Sequence, residues 1–228
     1  MTPTKRRCGD AGAALVAAVL ALALAGALGA ALALTTATES VVAGDFARAH
    51  AARYAAEAGL ERAIAELPSI GDWNLALGGA VQSTFVDGPP SGTRTLADGR
   101  VLDLARVVTS ANAAGAPWGT NNPVWRLFAY GPLDALLPGG VVRSPFYVVV
   151  MVADDPSETD GNPLVDGDAP CDAGETPPGC NPGSGAIAVR AEAFGPRGAH
   201  QIAHAIVERP RDGGTPLRTR AQVMGPLP

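Results

Sequence analysis

The densest chemistry in this 228-residue chain lies in DDPSETDGNPLVDGDAPCDAGETPPGCNPGSG, residues 154–185. Asp154, Asp155, Glu158, Asp160, Asp166 and Asp168 supply hard carboxylate oxygens at short spacing, and Asp160-Gly161 and Asp166-Gly167-Asp168 supply tight turns. Calcium takes about six to eight oxygen ligands, and such a loop can offer them. The spacing departs from the EF-hand pattern, so two readings stay open. Either these six residues hold calcium, or the loop is acidic only because it is solvated. Cys171 and Cys180 lie in the same stretch, while the third cysteine, Cys8, is far upstream. Removal of the first residues would leave an even pair, which suits an oxidising compartment and one disulfide. Two unpaired thiols are the alternative. A bridge over so short a loop would add about 2–3 kcal/mol in the chain-entropy picture.

Catalytic arrangements are not legible elsewhere. His200 and His204 fall on a strand-like segment, where side chains four apart share a face without converging. Ser110, Ser144 and Ser184 lack a strand–turn–helix context for a nucleophile. Asp154, Asp155 and Glu158 resemble paired carboxylates, but nothing apolar nearby is expected to raise a pKa for acid catalysis. No phosphate-cradling glycine loop with a lysine occurs. The net charge is -5, with no basic and aromatic interleaving, which argues against nucleic acid as a partner. A non-enzyme without a cofactor, calcium apart, is the expectation.

The elements that must position this loop begin at the opposite end. Lys5, Arg6 and Arg7 precede GAALVAAVLALALAGALGAALAL, residues 12–34, which carries no charge. Ala13 to Leu34 would make about 33 Å of helix at 1.5 Å per residue, enough to cross a bilayer and longer than a cleaved secretory core of about 7–15 residues. The basic leader predicts a cytoplasmic N-terminus and a C-terminal domain on the far side. Ala25/Gly29 and Gly26/Ala30 give small-xxx-small spacings that let helices approach closely.

Helix formers continue without proline to Pro68, and Val42, Phe46, Ala49, Ala56, Leu60, Ile64 and Leu67 recur at three- and four-residue steps. The spacing predicts an amphipathic continuation over 35–67.

In this stretch the chain resembles the type IV pilins and pseudopilins, most closely the PilX-type minor pilin and pilus-assembly proteins. The residues that carry the likeness are the basic leader ending in Gly12, the apolar helix, and two motifs. The first motif is Thr36, Glu39, Ala43 and Gly44. The second is Ala52, Ala55, Ala56, Glu57, Ala58, Gly59, Leu60 and Ala63. The resemblance covers roughly residues 5–67. It implies cleavage by a prepilin peptidase between Gly12 and Ala13, methylation of the new amine, residence in the bacterial inner membrane, and later assembly with other pilin subunits into an extracellular filament. It also implies roles in adhesion or secretion systems. Two departures stand out: Ala13 replaces the usual Phe, and Ala17 stands where major pilins carry a Glu. That carboxylate pairs with a neighbour's N-terminal ammonium in an apolar setting, so a chain without it fits a minor subunit better than a major one. A single-pass, membrane-anchored periplasmic binding or adhesion module that never polymerises is the alternative.

The predicted organisation is a leader (1–12), a membrane or filament-core helix (13–34), its amphipathic continuation (35–67), a sheet domain (68–209) and a loosely ordered tail (210–228). Within the sheet domain, 68–99 reads as a connector docked by Trp73 and Leu75. Strands are predicted at Arg100–Ser110, Asn122–Gly131 and Ser144–Asp154, followed by a hairpin around Pro196-Arg197-Gly198. The fold class is α+β, with the long helix laid against one face of an antiparallel sheet and its stripe covering Val148, Val150, Ile187 and Val189. The pilin resemblance implies the same fold. Many pilins also carry a C-terminal disulfide, which suits Cys171 and Cys180.

Overall fold

The computed structural model describes residues 10–115, 123–136, 143–167, 174, 180–209 and 218–224. Contacts divide the chain into two units, Met1–Ala47 and Arg48–Pro228. One helix, α1 (Asp10–Glu66), runs from the first into the second.

In the first unit α1 is exposed on all sides, and its large apolar residues, from Leu15 to Leu34, face outward. This helix is long and apolar enough to cross a membrane. Thr35, Thr36 and Thr38 turn their hydroxyls back to donate to the carbonyls of Ala31, Leu32 and Leu34, each at 3.0 Å. These three hydroxyls therefore satisfy themselves within the helix.

In the second unit α1 packs through Ala52, Ala55, Ala56, Leu60 and Ala63, joined by Leu67 just past its end, all buried. The buried stripe starts later than the sequence predicts, since Val42 and Phe46 are exposed. Small residues dominate it because the helix lies close to the sheet. A Cβ on Gly59 would overlap Val148 Cγ1 and lie 3.3 Å from Val150 Cγ2. Pro68 stops the helix, and a single 3-10 turn at Leu67–Ser69 follows, with Ser69 Oγ donating to the Glu66 carbonyl at 2.7 Å.

The connector carries a short helix, α2 (Asn74–Leu77), and the first strands, β1 (Thr93–Thr95) and β2 (Val101–Asp103), paired as a two-stranded antiparallel sheet. Trp73 docks the connector by burying its ring and donating from Nε1 to the Leu67 carbonyl, 3.1 Å away. Its partner is Leu77 rather than the predicted Leu75, which stays exposed.

The predicted strand at Arg100–Ser110 is corrected. After β2 the chain becomes helix α3 (Leu104–Gly115). Asp103 caps it, its Oδ1 accepting from the backbone N–H of Ala105 at 2.9 Å and of Arg106 at 3.3 Å. Leu104, Val107, Val108 and Ala111 then recur at helical rather than strand spacing, and Leu104, Val107 and Ala111 are buried.

The main sheet is antiparallel, in the order β3 (Arg126–Pro132), β4 (Tyr147–Asp154), β5 (Ala186–Phe194), β6 (His200–Glu208) and β7 (Arg218–Met224). A short helix, α4 (Leu133–Leu136), follows β3. Phe128 is the extra residue of a bulge where the β3–β4 register shifts. The predicted hairpin joins β5 to β6, with Arg197 in the left-handed region at φ 56°. The tail, read from sequence as loosely ordered, contributes the edge strand β7, paired to β6 from Ile202–Met224 to Glu208–Arg218.

Every residue of β4 is buried, because both faces of the sheet are covered. Val148, Val150, Val152, Ile187 and Val189 form one core with the α1 stripe. Tyr147, Val149, Met151 and Ala153 form a second core with Leu104, Val107 and Ala111 of α3, joined by Trp125. The predicted helix-on-sheet packing is present, and α3 adds a layer that the sequence reading did not contain.

Candidate functional site

Two clusters of charged side chains lie inside the second unit. The first is built where β4 runs out into the acidic loop. Period-two alternation puts Asp154 on the face of Val152 and Val150, against the core, and Asp154 is only 3% exposed. Four residues on, Glu158 is 1% exposed. Its Oε1 accepts from the Gly167 backbone N–H at 2.6 Å and from Asn181 Nδ2 at 2.8 Å. Its Oε2 is shut off from solvent with no hydrogen-bond donor. Asp160, which is exposed, completes a group in which one carboxylate oxygen from each of Asp154, Glu158 and Asp160 lies within 4.8 Å of the others.

The loop is held around this group by its own backbone. Asn181 Oδ1 accepts from the Thr159 N–H at 2.8 Å, and Asp166 Oδ1 accepts from the Gly185 N–H at 2.6 Å. Asp166 also donates its N–H to Asn74 Oδ1, 2.7 Å away on α2.

Burial pushes the Asp154 carboxyl up to about 9, reinforced by the Glu158 carboxyl beside it. Burial likewise raises Glu158 and Asp166. This corrects the expectation that nothing near Asp154 and Glu158 raises a carboxyl pKa. The residues of β4 directly before Asp154, together with the loop returning through Gly167 and Asn181, remove these carboxyls from water. A folded-state value above the ordinary 3.8 means that Asp154 favours the fold when protonated and opposes it once ionised.

Of the six sequence candidates, Asp154, Glu158 and Asp160 come together. Asp155 instead turns the loop, its Oδ1 accepting from the Ser157 N–H at 3.0 Å. Asp166 serves the loop closure, and Asp168 lies outside the described residues. Cys180 is buried and disulfide-bonded, whereas Cys171 lies outside the described residues. Gly12 and Ala13 lie on α1, both exposed.

The second cluster was missed by sequence reasoning. Arg190 and Glu192 alternate along β5, both buried on the α3 side of the sheet, with Arg190 Nε donating to Glu192 Oε1 at 2.7 Å. Across the hairpin, His200 Nε2 lies 2.8 Å from Glu192 Oε2, and His204 Nε2 lies 3.4 Å from Arg190 Nη1. His200 stacks on Phe194 and His204 meets the edge of Trp125. Burial raises the Glu192 pKa, but the His200 hydrogen bond and the Arg190 charge outweigh it and hold the carboxyl below its usual range. Burial, with help from Arg190, lowers His204 to about 4. The available signal was the period-two spacing of Arg190 and Glu192 in AVRAEAF, opposite His200 and His204 across a turn. The carboxylate is matched by its partners, so the cluster serves as a satisfied polar seam.

A third polar group joins α1 to the connector. Glu66 accepts from Arg62, Ser83 and Thr84, and a groove of about 400 Å³ beside it is lined by Ile70, Leu75, Val81 and Phe128. No protein family, curated protein or solved structure matches the chain.

Proposed function

We propose that this chain is a non-catalytic, minor pilin-like subunit that takes part in assembling a type IV pilus or a type II secretion pseudopilus. The observation that carries the reading is the first unit of α1. Its uncharged stretch, from Leu15 to Leu34, is exposed over its whole circumference, a surface far larger than a water-soluble monomer leaves uncovered. Lipid covers it before assembly, with the basic leader in the cytoplasm and the sheet domain in the periplasm. Stems of neighbouring subunits cover it afterwards, and the exchange is nearly even because lipid tails and apolar helices are alike in polarity.

Van der Waals packing then sets specificity. Gly26 and Gly29 have no atom within 4 Å of where a Cβ would stand, so both are free to seat a second helix. Ala17, placed where a major subunit's carboxylate would be, leaves a neighbour's ammonium without a counter-charge. This subunit is accordingly used sparingly, at or near a filament end.

N-terminal sequencing of the full chain, extracted from a membrane that also contains a prepilin peptidase, tests the reading. A mature start at Ala13 is expected. An intact Met1 or Thr2 would instead support an anchored periplasmic module that does not polymerise, and a start near Ala37 would support a secreted domain.

A further inference from the structure

We infer that Asp154, Glu158 and Asp160 form a binding site for a divalent cation of the calcium class, where the acidic loop folds back over the end of β4. The inference does not depend on the subunit reading, and it rests on more than the density of acidic residues.

Glu158 is the decisive group. It is almost wholly buried, one of its oxygens takes two donors, and the other takes none while excluded from water. A buried carboxylate oxygen whose lone pairs meet no donor calls for a positive partner. Among the described residues no ion pair reaches Asp154, Glu158 or Asp160. Carboxylate oxygens from all three converge within 4.8 Å, close enough for one ion to touch each at about 2.3–2.6 Å.

The loop is shaped to bring them there. A Cβ on Gly167 would overlap Asn181 Nδ2, lie 2.5 Å from Glu158 Oε1 and lie 3.2 Å from Asp160 Oδ2, so a side chain there would have to displace the groups that gather around Glu158. Asp160 is exposed and leaves one side open, where water completes the coordination shell and the ion exchanges. The ligands are all carboxylates, with no histidine or cysteine among them, which favours a hard cation over zinc. An irregular loop also suits the flexible geometry of calcium better than the rigid octahedron of magnesium. The competing occupant is a proton held between Asp154 and Glu158.

The test uses the full chain in detergent micelles, stripped with EDTA and titrated with calcium chloride by calorimetry and thermal unfolding. Saturable one-to-one binding is expected, with Kd about 10⁻⁴–10⁻³ M, as in weak extracellular modules, and with a rise in Tm. Asp160→Asn changes only an exposed side chain, so the protein still folds, and it should weaken binding by about tenfold or more. Glu158→Gln should abolish it. Absence of any saturable heat or Tm rise in the folded wild-type chain at about 10 mM calcium, well above that affinity range, would overturn the inference and leave the pair to its shared proton. So would a calcium response that persists unchanged in both variants.

Discussion

Within α1, two stretches written in the same vocabulary of Ala, Leu, Gly and Val meet different surroundings. In the first unit Leu28 is 63% exposed, whereas in the second Leu60 is 4% exposed. Gly29 has no atom within 4 Å of a would-be Cβ, whereas Gly59 is pressed against Val148. The difference lies in what is available to cover them. The second stretch has its own sheet, while the first must find cover outside the chain. A residue's contribution to the domain should therefore depend on which stretch it occupies, not on its type.

The largest contrast is expected from Leu60→Ala set against Leu28→Ala. Leu60 belongs to the core shared with Val148 and Val150, and its truncation should cost about 2–5 kcal/mol of domain stability. Leu28→Ala should leave unfolding of the same domain within about 0.5 kcal/mol of wild type. Urea denaturation in detergent, followed through tryptophan fluorescence, checks both, and equal effects would erase the distinction. Gly59→Ala sharpens it. Alanine is the better helix former by about 1 kcal/mol, yet overpacking against Val148 should reverse the sign to a net loss of about 1–3 kcal/mol. Gly29→Ala, measured in the same way, should leave the domain unchanged while reducing incorporation into filaments, read by immunoblotting of sheared filaments.

The two buried charge clusters make a second contrast of the same kind. Asp154 is raised by burial with another carboxyl beside it, whereas Glu192, though buried, is lowered because His200 and Arg190 hold it. His204 is lowered from 6.5 to about 4, so its neutral form stabilises the fold fully above pH 6.5, and that contribution is lost as pH falls toward 4. Glu192, lowered from 4.5, adds a loss of the same sign as pH falls below that value toward its folded-state pKa. Over the same range protonation of Asp154, Glu158 and Asp166, all raised, acts in the opposite direction, so the contrast is read as the difference in urea-midpoint slope from pH 7 to pH 4.5 between EDTA-treated wild type and His204→Gln. His204→Gln should lose the acid-side destabilisation and so gain stability relative to wild type as pH falls, and identical slopes would remove His204 as a contributor. This is the smallest of the expected effects.

These contrasts mark what the residues alone could reveal. β4, β5 and β6 were legible because turn residues bound them and apolar residues recur along them, and the α1 contact with Val148, Val150, Ile187 and Val189 followed from spacing. α3 was not legible, because LDLARVVTS satisfies strand alternation almost as well as helical spacing. The Asp103 cap that decides between them is a local hydrogen-bond choice. β7 was hidden by its arginines and flanking Pro and Gly, since an edge strand needs no apolar run when β6 supplies its partner. The acidic loop was read for its composition, but its chemistry depends on long-range closure. Asn181 and Gly167 reach Glu158 across 23 and 9 residues, and only this return removes the carboxylates from water.

In the subunit reading proposed above, the first unit of α1 is covered by other stems in the assembled state. A photo-crosslinking residue at Leu28, with filaments sheared from cells and analysed by mass spectrometry, tests it most directly. Adducts to the apolar stems of other subunits are the predicted result. Recovery of Leu28 adducts only with lipid in the cell membrane, with none in the filament fraction, would contradict it.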